Sequence, residues 1–228
     1  MDALLLDFNG VIVDDEPLHF VAFRAVLAAE GIALDEEVYY AHYLGCDDRA
    51  AFRQAFASRE RTLAPDRLAD LIARKAARYA ELAARELVVV PGVAAFARAA
   101  AAHAVLAVAS GAIRPEIEIG LAKAGIRDLI GTIVSAEDVS TTKPDPALFR
   151  LALRRLAATR AAAPWRAAVI EDSLPGLAAA RAIGAGCVML TTSHDAGALA
   201  GADLVWATFE GHAPRELEML WRPVEAQP

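Results

Sequence analysis

Two cysteines in 228 residues, Cys46 and Cys187, are too few and too far apart for a thiolate metal centre or a disulfide framework. They read as core or surface thiols of a reduced, cytoplasmic chain. Positive charge is also scarce: 23 Lys and Arg stand against 30 Asp and Glu, a net charge of -7. That balance weighs against broad binding to nucleic acid, and an anionic substrate would need a locally positive pocket. No apolar run is long enough to span a bilayer, and Asp7 interrupts "ALLL" before it could act as a secretory core. Around Gly184-Ala185-Gly186 the full glycine spacing of a dinucleotide loop is missing, so the segment reads as a helix stop. His42, His103, His194 and His212 lack metal-ligand spacing and are read as structural or exposed. There is no internal repeat.

Apolar residues make up 56% of the chain. Many are alanines in helix-like stretches such as "VAAFARAAAAHAVLAVAS", which favours helix without adding much bulk to a core. Short apolar runs, "ALLLDF", "AVLAVASG", "GTIVSAED", "AAVIEDS", "GCVML" and "ADLVW", fit strands buried on both faces. Helical patterns alternate with the later ones, which predicts a doubly wound parallel sheet, an α/β fold with functional groups at the C-terminal strand ends. Residues 15–87 break that rhythm: they are amphipathic and helical, with no convincing strand. The expectation is an α/β core from 1–14 and 88–228 with an inserted helical cap domain at 15–87. Phe20, Phe23, Phe52 and Phe56 are read as cap core, and the junctions near Asp14–Pro17 and Glu86–Pro91 as hinges.

Asp7, Ser110, Lys143 and the pair Glu171-Asp172 each fall at or just after a strand end. Parallel strands would bring those ends together. Carboxylates and a backbone carbonyl suit Mg²⁺, which bridges readily to substrate phosphate. Ser110 and Gly111, ahead of a helix start, offer a hydroxyl and N–H groups to phosphate oxygens, and Lys143 adds a positive charge. Asp7 could attack phosphorus and form an aspartyl phosphate.

The order of these segments resembles the haloacid dehalogenase superfamily, mostly Mg²⁺-dependent phosphatases with an aspartate nucleophile. "LLLDFNGVIVDDEPLH" is similar to the first motif of that family, "AVASGA" to the second, "KPDPALF" to the lysine motif and "VIEDSLPGLAAARAIGAGCV" to the acidic fourth. The resemblance implies a Rossmann-like parallel sheet core with an α-helical cap that closes over the cleft. It further implies that Asp7 is nucleophile and metal ligand, and that the Asn9 main-chain carbonyl is a metal ligand. Ser110 and Lys143 would hold the phosphoryl group, and Asp172 with Glu171 would complete the metal site. Within the superfamily the chain looks like the branch of β-phosphoglucomutase and small sugar-phosphate phosphatases. There, His19, Arg49 in "GCDDR" and Lys75 in "ARKAARY" correspond to cap residues that contact substrate, and Arg114 is a further candidate for a substrate anion.

The chain departs from the family at Asn9, where phosphatases and mutases carry an aspartate general acid/base. An amide cannot exchange a proton near neutral pH, and such catalysis is commonly worth roughly 10²–10⁴-fold. The metal role needs only the backbone carbonyl and survives. The expected function is a phosphatase of a small phosphorylated metabolite with activity reduced by Asn9, acting as a monomer or small homo-oligomer. A sugar-phosphate mutase, a weakly catalytic phospholigand-binding protein and a metal-free dehalogenase are the alternatives. Asp15 or His19 could replace the missing acid, and the Asn9-Gly10 step favours deamidation if its loop is mobile.

Overall fold

The computed structural model describes residues 2–44, 46–159 and 165–224. Two compact units emerge, Met1–Asp14 with Val88–Pro228, and Asp15–Leu87. The chain begins with β1 (Asp2–Leu6), whose Ala3, Leu4, Leu5 and Leu6 are all buried. An interior this apolar cannot accept an unpaired polar group cheaply, and after Asp2 at the strand's partly exposed start the next polar residue, Asp7, comes where the strand ends. A tight turn leads to β2 (Val13–Asp14).

Among its described residues the second unit contains four helices: α1 (Glu16–Ala29), α2 (Glu36–His42), α3 (Asp48–Ala57) and α4 (Pro65–Glu86). Asp47 caps α3 by accepting a hydrogen bond from Ala50 N at 2.8 Å. In α4, Leu68, Leu71, Lys75, Tyr79 and Leu82 recur at helical spacing and form the buried stripe. Phe20, Phe23, Phe52 and Phe56 are buried together with Tyr39, Leu68 and Leu71 in this unit's core.

On re-entering the first unit, β3 (Val88–Val89) pairs antiparallel with β2, setting Val88 opposite Asp14. Two-residue strands have no periodicity to read, so the sequence did not announce this ribbon. There follow α5 (Val93–Ala101), β4 (Val105–Ala109), α6 (Arg114–Ala124), β5 (Ile130–Val134) and α7 (Ala147–Thr159). The chain then forms β6 (Trp165–Glu171), α8 (Leu174–Ala182), β7 (Gly186–Leu190), β8 (Leu204–Trp206) and β9 (Arg222–Val224). "SAED" turns out to be no part of β5; Ser135 starts a short 3₁₀ turn over Ala136–Asp138.

The main sheet has the order β5-β4-β1-β6-β7-β8 with every neighbour parallel, and β9 adds antiparallel to the start of β6. This is the expected Rossmann-like α/β architecture. Ala3, Leu5, Ala107, Ala109, Ala167 and Val169 face a cluster with Phe149, Leu153 and Ala180 from α7 and α8. Small alanines on the strands let helix side chains such as Phe149 seat closely. The chain runs outward from β1 to β4 and β5 on one side, then crosses to β6, β7 and β8 on the other. Such a reversal opens a crevice at the C-terminal ends of the central strands. Among the described residues no helix is long and apolar enough to cross a membrane.

Candidate active site

Asp7 continues the β1–β6 ladder one step past the strand, its N–H donating to Ile170 O at 3.0 Å. The chain then turns sharply: Phe8 O accepts from Ile12 N at 2.8 Å and Val13 N at 3.2 Å, and Gly10 N donates to Val13 O at 2.7 Å. Gly10 has φ +68°, and a Cβ there would overlap the Asp172 carboxylate. Only glycine satisfies both demands at low cost. The Gly10 amide that would have to attack the Asn9 side chain already donates to Val13 O, which opposes the deamidation expected at this step.

Four side chains from three distant segments of the sequence meet here. The Lys143 ammonium lies 2.8 Å from Asp7 Oδ1 and forms a closer ion pair with Glu171 Oε1. It also sits 5.0 Å over the Phe149 ring. Glu171 is turned inward: its Oε2 accepts from Asp172 N at 3.1 Å, Ser173 N at 3.2 Å and Ser173 Oγ at 3.0 Å. A Cβ on Gly176 in the first turn of α8 would overlap this carboxyl. Asp7, Glu171 and Asp172 each bring a carboxylate oxygen within 4.8 Å of the others, and all three are buried.

Three carboxylates around one ammonium leave the cluster short of positive charge. Burial alone would lower the Lys143 pKa, but Asp7 and Glu171 overcome it and hold the group above its ordinary value, protonated at neutral pH. Burial and the neighbouring Asp7 raise Glu171, and burial with Glu171 and Asp7 raises Asp172 well above the usual range. Asp7 Oδ1 and Glu171 Oε1 are buried, and Lys143 Nζ is the partner of both. A hard divalent cation fits this oxygen-rich, electron-rich set. Glu171 serves such an ion less directly than the sequence suggested, because both its oxygens are already engaged by Lys143, Ser173 and the main chain.

The crowding of like charges has a measurable consequence. Asp172→Asn removes one charge that Glu171 and Asp7 oppose, so in EDTA its melting temperature should exceed that of the unaltered chain. About 1 kcal/mol of relief corresponds to roughly 2–4 °C at this chain length. Differential scanning calorimetry decides it, and a lowered melting temperature would show that Asp172 stabilises the fold without an ion.

Ser110 stands at the end of β4, beside β1 in the sheet, its N–H donating to Val134 O at 3.0 Å. Ala112 N donates to its Oγ at 3.3 Å, and the position of a Cβ on Gly111 faces open space. Arg114 differs from its expected role at a substrate anion. Its guanidinium donates to Ile133 O at 2.8 Å and lies 3.5 Å from Asp138 and 3.8 Å from Glu118.

The remaining candidates belong to the helical unit. His19 Nε2 is 3.2 Å from Asp15 Oδ2, and the ring stacks on Tyr79 at 4.7 Å. Tyr79 donates a short hydrogen bond to the same Asp15 oxygen. Asp15 is fully buried, which does not suit the proton-supplying role considered for it. Lys75 is also fully buried, with Asp48 Oδ1 3.0 Å from its Nζ and the rings of Phe23 and Tyr79 beneath it. Arg49 is half-buried in the first turn of α3, and Gly45 of "GCDDR" lies outside the described residues.

Sequence reasoning overlooked Thr192 and Ser193, in the loop after β7. Ser193 Oγ donates to Asp172 Oδ2, and Thr192 Oγ1 donates to Gly10 O at 2.6 Å. The available signal was positional: "GCVML" is followed directly by the hydroxyl residues Thr191, Thr192 and Ser193, past the C-terminal end of a strand as Asp7 and Asp172 are.

A family model described as haloacid dehalogenase-like hydrolase matches residues 4–190. Protein CbbY of Cereibacter sphaeroides is 32% identical over 220 residues, spanning 92% of this chain and 93% of that protein. The crystal structure of CbbY from Rhodobacter sphaeroides in complex with phosphate superposes with a TM-score of 0.82 at 31% identity, covering 94% of this chain and 98% of the other. Validoxylamine A 7′-phosphate phosphatase of Streptomyces hygroscopicus subsp. limoneus is 39% identical over 100 residues, 44% of this chain and 45% of that one.

Proposed function

The chain belongs to the haloacid dehalogenase-like hydrolases, and from that premise we propose that it is a Mg²⁺-dependent phosphatase of a small phosphorylated metabolite, working through a phosphoaspartate on Asp7. The supporting observation is the convergence of Asp7, Lys143, Glu171 and Asp172 at the C-terminal end of the central strand. A relative that removes phosphate from validoxylamine A 7′-phosphate favours a sugar-like phosphate ester as substrate. In this reading the first unit is the catalytic domain and the helical unit is the cap.

Asp7, Asp172 and the Asn9 carbonyl would hold Mg²⁺, with Glu171 beside them. The ion would supply charge neutralisation for the phosphoryl oxygens. Lys143, kept cationic by its two carboxylates, adds a fixed positive charge, while Ser110 Oγ and nearby N–H groups orient the phosphoryl group. An Asp7 carboxylate oxygen bonds to phosphorus as the ester P–O bond breaks. The departing alkoxide takes its proton from solvent, because the Asn9 amide has none to give. Water then attacks the acyl phosphate, releasing inorganic phosphate and restoring the Asp7 carboxylate.

The test is inorganic phosphate release across a panel of metabolite phosphates with Mg²⁺, run on the unaltered chain and on Asn9→Asp. Restoring a titratable group should raise kcat by about tenfold or more. Absence of release from every ester by either protein would sink the phosphatase reading. An equal rate for the two would remove position 9 from the proton transfer.

A further inference from the structure

The loop after β7 lays two hydroxyls on the acidic cluster. Ser193 Oγ donates a short hydrogen bond to Asp172 Oδ2, while Thr192 Oγ1 lies 2.6 Å from Gly10 O and 3.3 Å from that same carboxylate oxygen. A hydroxyl carries one proton. Thr192 therefore gives its proton to the nearer acceptor, the Gly10 carbonyl, and Ser193 is the main donor to Asp172. Among the described residues Asp172 Oδ1 receives no hydrogen bond. The two carboxylate oxygens are thus distinguished: Oδ2 is held by the protein and Oδ1 is left to a ligand.

Thr192 also acts on the opposite wall. The Gly10 carbonyl it holds belongs to the turn that carries Asn9, and the space where a Gly10 Cβ would sit is filled by the Asp172 carboxylate. One loop therefore sets the spacing between the turn after β1 and the acid after β6. A carboxylate that is free to rotate would lose order on binding a cation. A charge-assisted hydrogen bond to one oxygen removes that freedom in advance.

We propose that Thr192 and Ser193 are positioning residues for a divalent-cation site, orienting Asp172 through Oδ2 and fixing the Gly10 turn beside it. The inference rests on the phosphatase reading above and assigns the preorganisation of that site to a segment outside the four motifs. A merely structural role for the hydroxyls would instead appear as lost stability.

The experiment titrates Mg²⁺ calorimetrically into the unaltered chain, Ser193→Ala, Thr192→Val and Thr192→Ser, with melting temperature and phosphate release followed in parallel. Removing a hydrogen-bond partner of a ligating carboxylate commonly weakens metal affinity by about tenfold or more. Ser193→Ala should therefore raise the Mg²⁺ Kd by about tenfold, and Thr192→Val should raise it as well by releasing the Gly10 turn. Excess Mg²⁺ should restore kcat, and substrate KM should stay unchanged. Thr192→Ser, which keeps the hydroxyl, should bind like the unaltered chain. An unchanged Kd in both Ser193→Ala and Thr192→Val, while the unaltered chain binds Mg²⁺ and releases phosphate, overturns the inference and leaves the phosphatase reading intact. So does a fall in melting temperature with no change in Kd. Failure of the unaltered chain to bind Mg²⁺ overturns both.

Discussion

Asp7→Asn should lower phosphate release by at least about 10⁴-fold at saturating Mg²⁺, a loss of the size seen when a covalent nucleophile is removed. The change is isosteric, so the β1 end and its hydrogen bond to Ile170 O should survive, and the Lys143 ammonium keeps Glu171 as a partner. What would disappear is the anionic oxygen that the proposed mechanism joins to phosphorus. Stability should not fall, because the variant lifts one charge from a cluster of three carboxylates. Circular dichroism together with a phosphate-release assay checks the two halves separately. A folded Asp7→Asn protein retaining a tenth of the rate would mean that water attacks the ester directly and that Asp7 serves only as a metal ligand.

Lys143→Met should have the largest effect on stability. Removing one member of a buried ion pair leaves an uncompensated charge, at a cost of about 3–5 kcal/mol, or roughly 6–20 °C in melting temperature. The sign of its pH dependence follows from the groups left behind. In the unaltered chain Lys143 is raised above its ordinary 10.5. Its contribution is thus fully present below that value and is lost only as the pH climbs through the higher folded-state value. In the variant, Glu171 is already raised from 4.5 by burial and Asp7, and it loses the cation that had lowered it. The folded state then retains a proton that the unfolded chain releases, so stability falls as pH rises above about 4.5. The deficit should be smaller at pH 5 than at pH 8, and Mg²⁺ should recover part of it at pH 8 by replacing the missing charge. An equal deficit at both pH values would show that Lys143 stabilises chiefly by packing on Phe149.

Much of the architecture could be read from local pattern. Apolar runs of about five residues alternating with helical patterns specified a parallel sheet, since strands buried on both faces show no period of two. The elements that escaped were those without a local signature. β2 and β3 have two residues each, and β9 is a three-residue strand containing Pro223. Their pairing depends on partners far along the chain.

The site divides in the same way. Asp7, Ser110, Lys143, Glu171 and Asp172 were identifiable because each follows an apolar run or a strand in a recurring position. Composition held a further clue: Lys75, Lys123 and Lys143 are the chain's only lysines, and two of them are buried against carboxylates. Arginine covers most of the remaining cationic surface, while a compact ammonium fits a buried charge pair.

By itself the sequence determined the kind and order of the chemical groups at the strand ends, because hydrophobic period and strand termination are local properties. Tertiary structure alone decided how they are used. It turned Glu171 inward onto Lys143, engaged Arg114 with Ile133 and Asp138, closed Lys75 onto Asp48, and brought Ser193 to one oxygen of Asp172. Those outcomes depend on sheet order and on which side of a carboxylate a distant hydroxyl reaches, and no spacing along one chain encodes either.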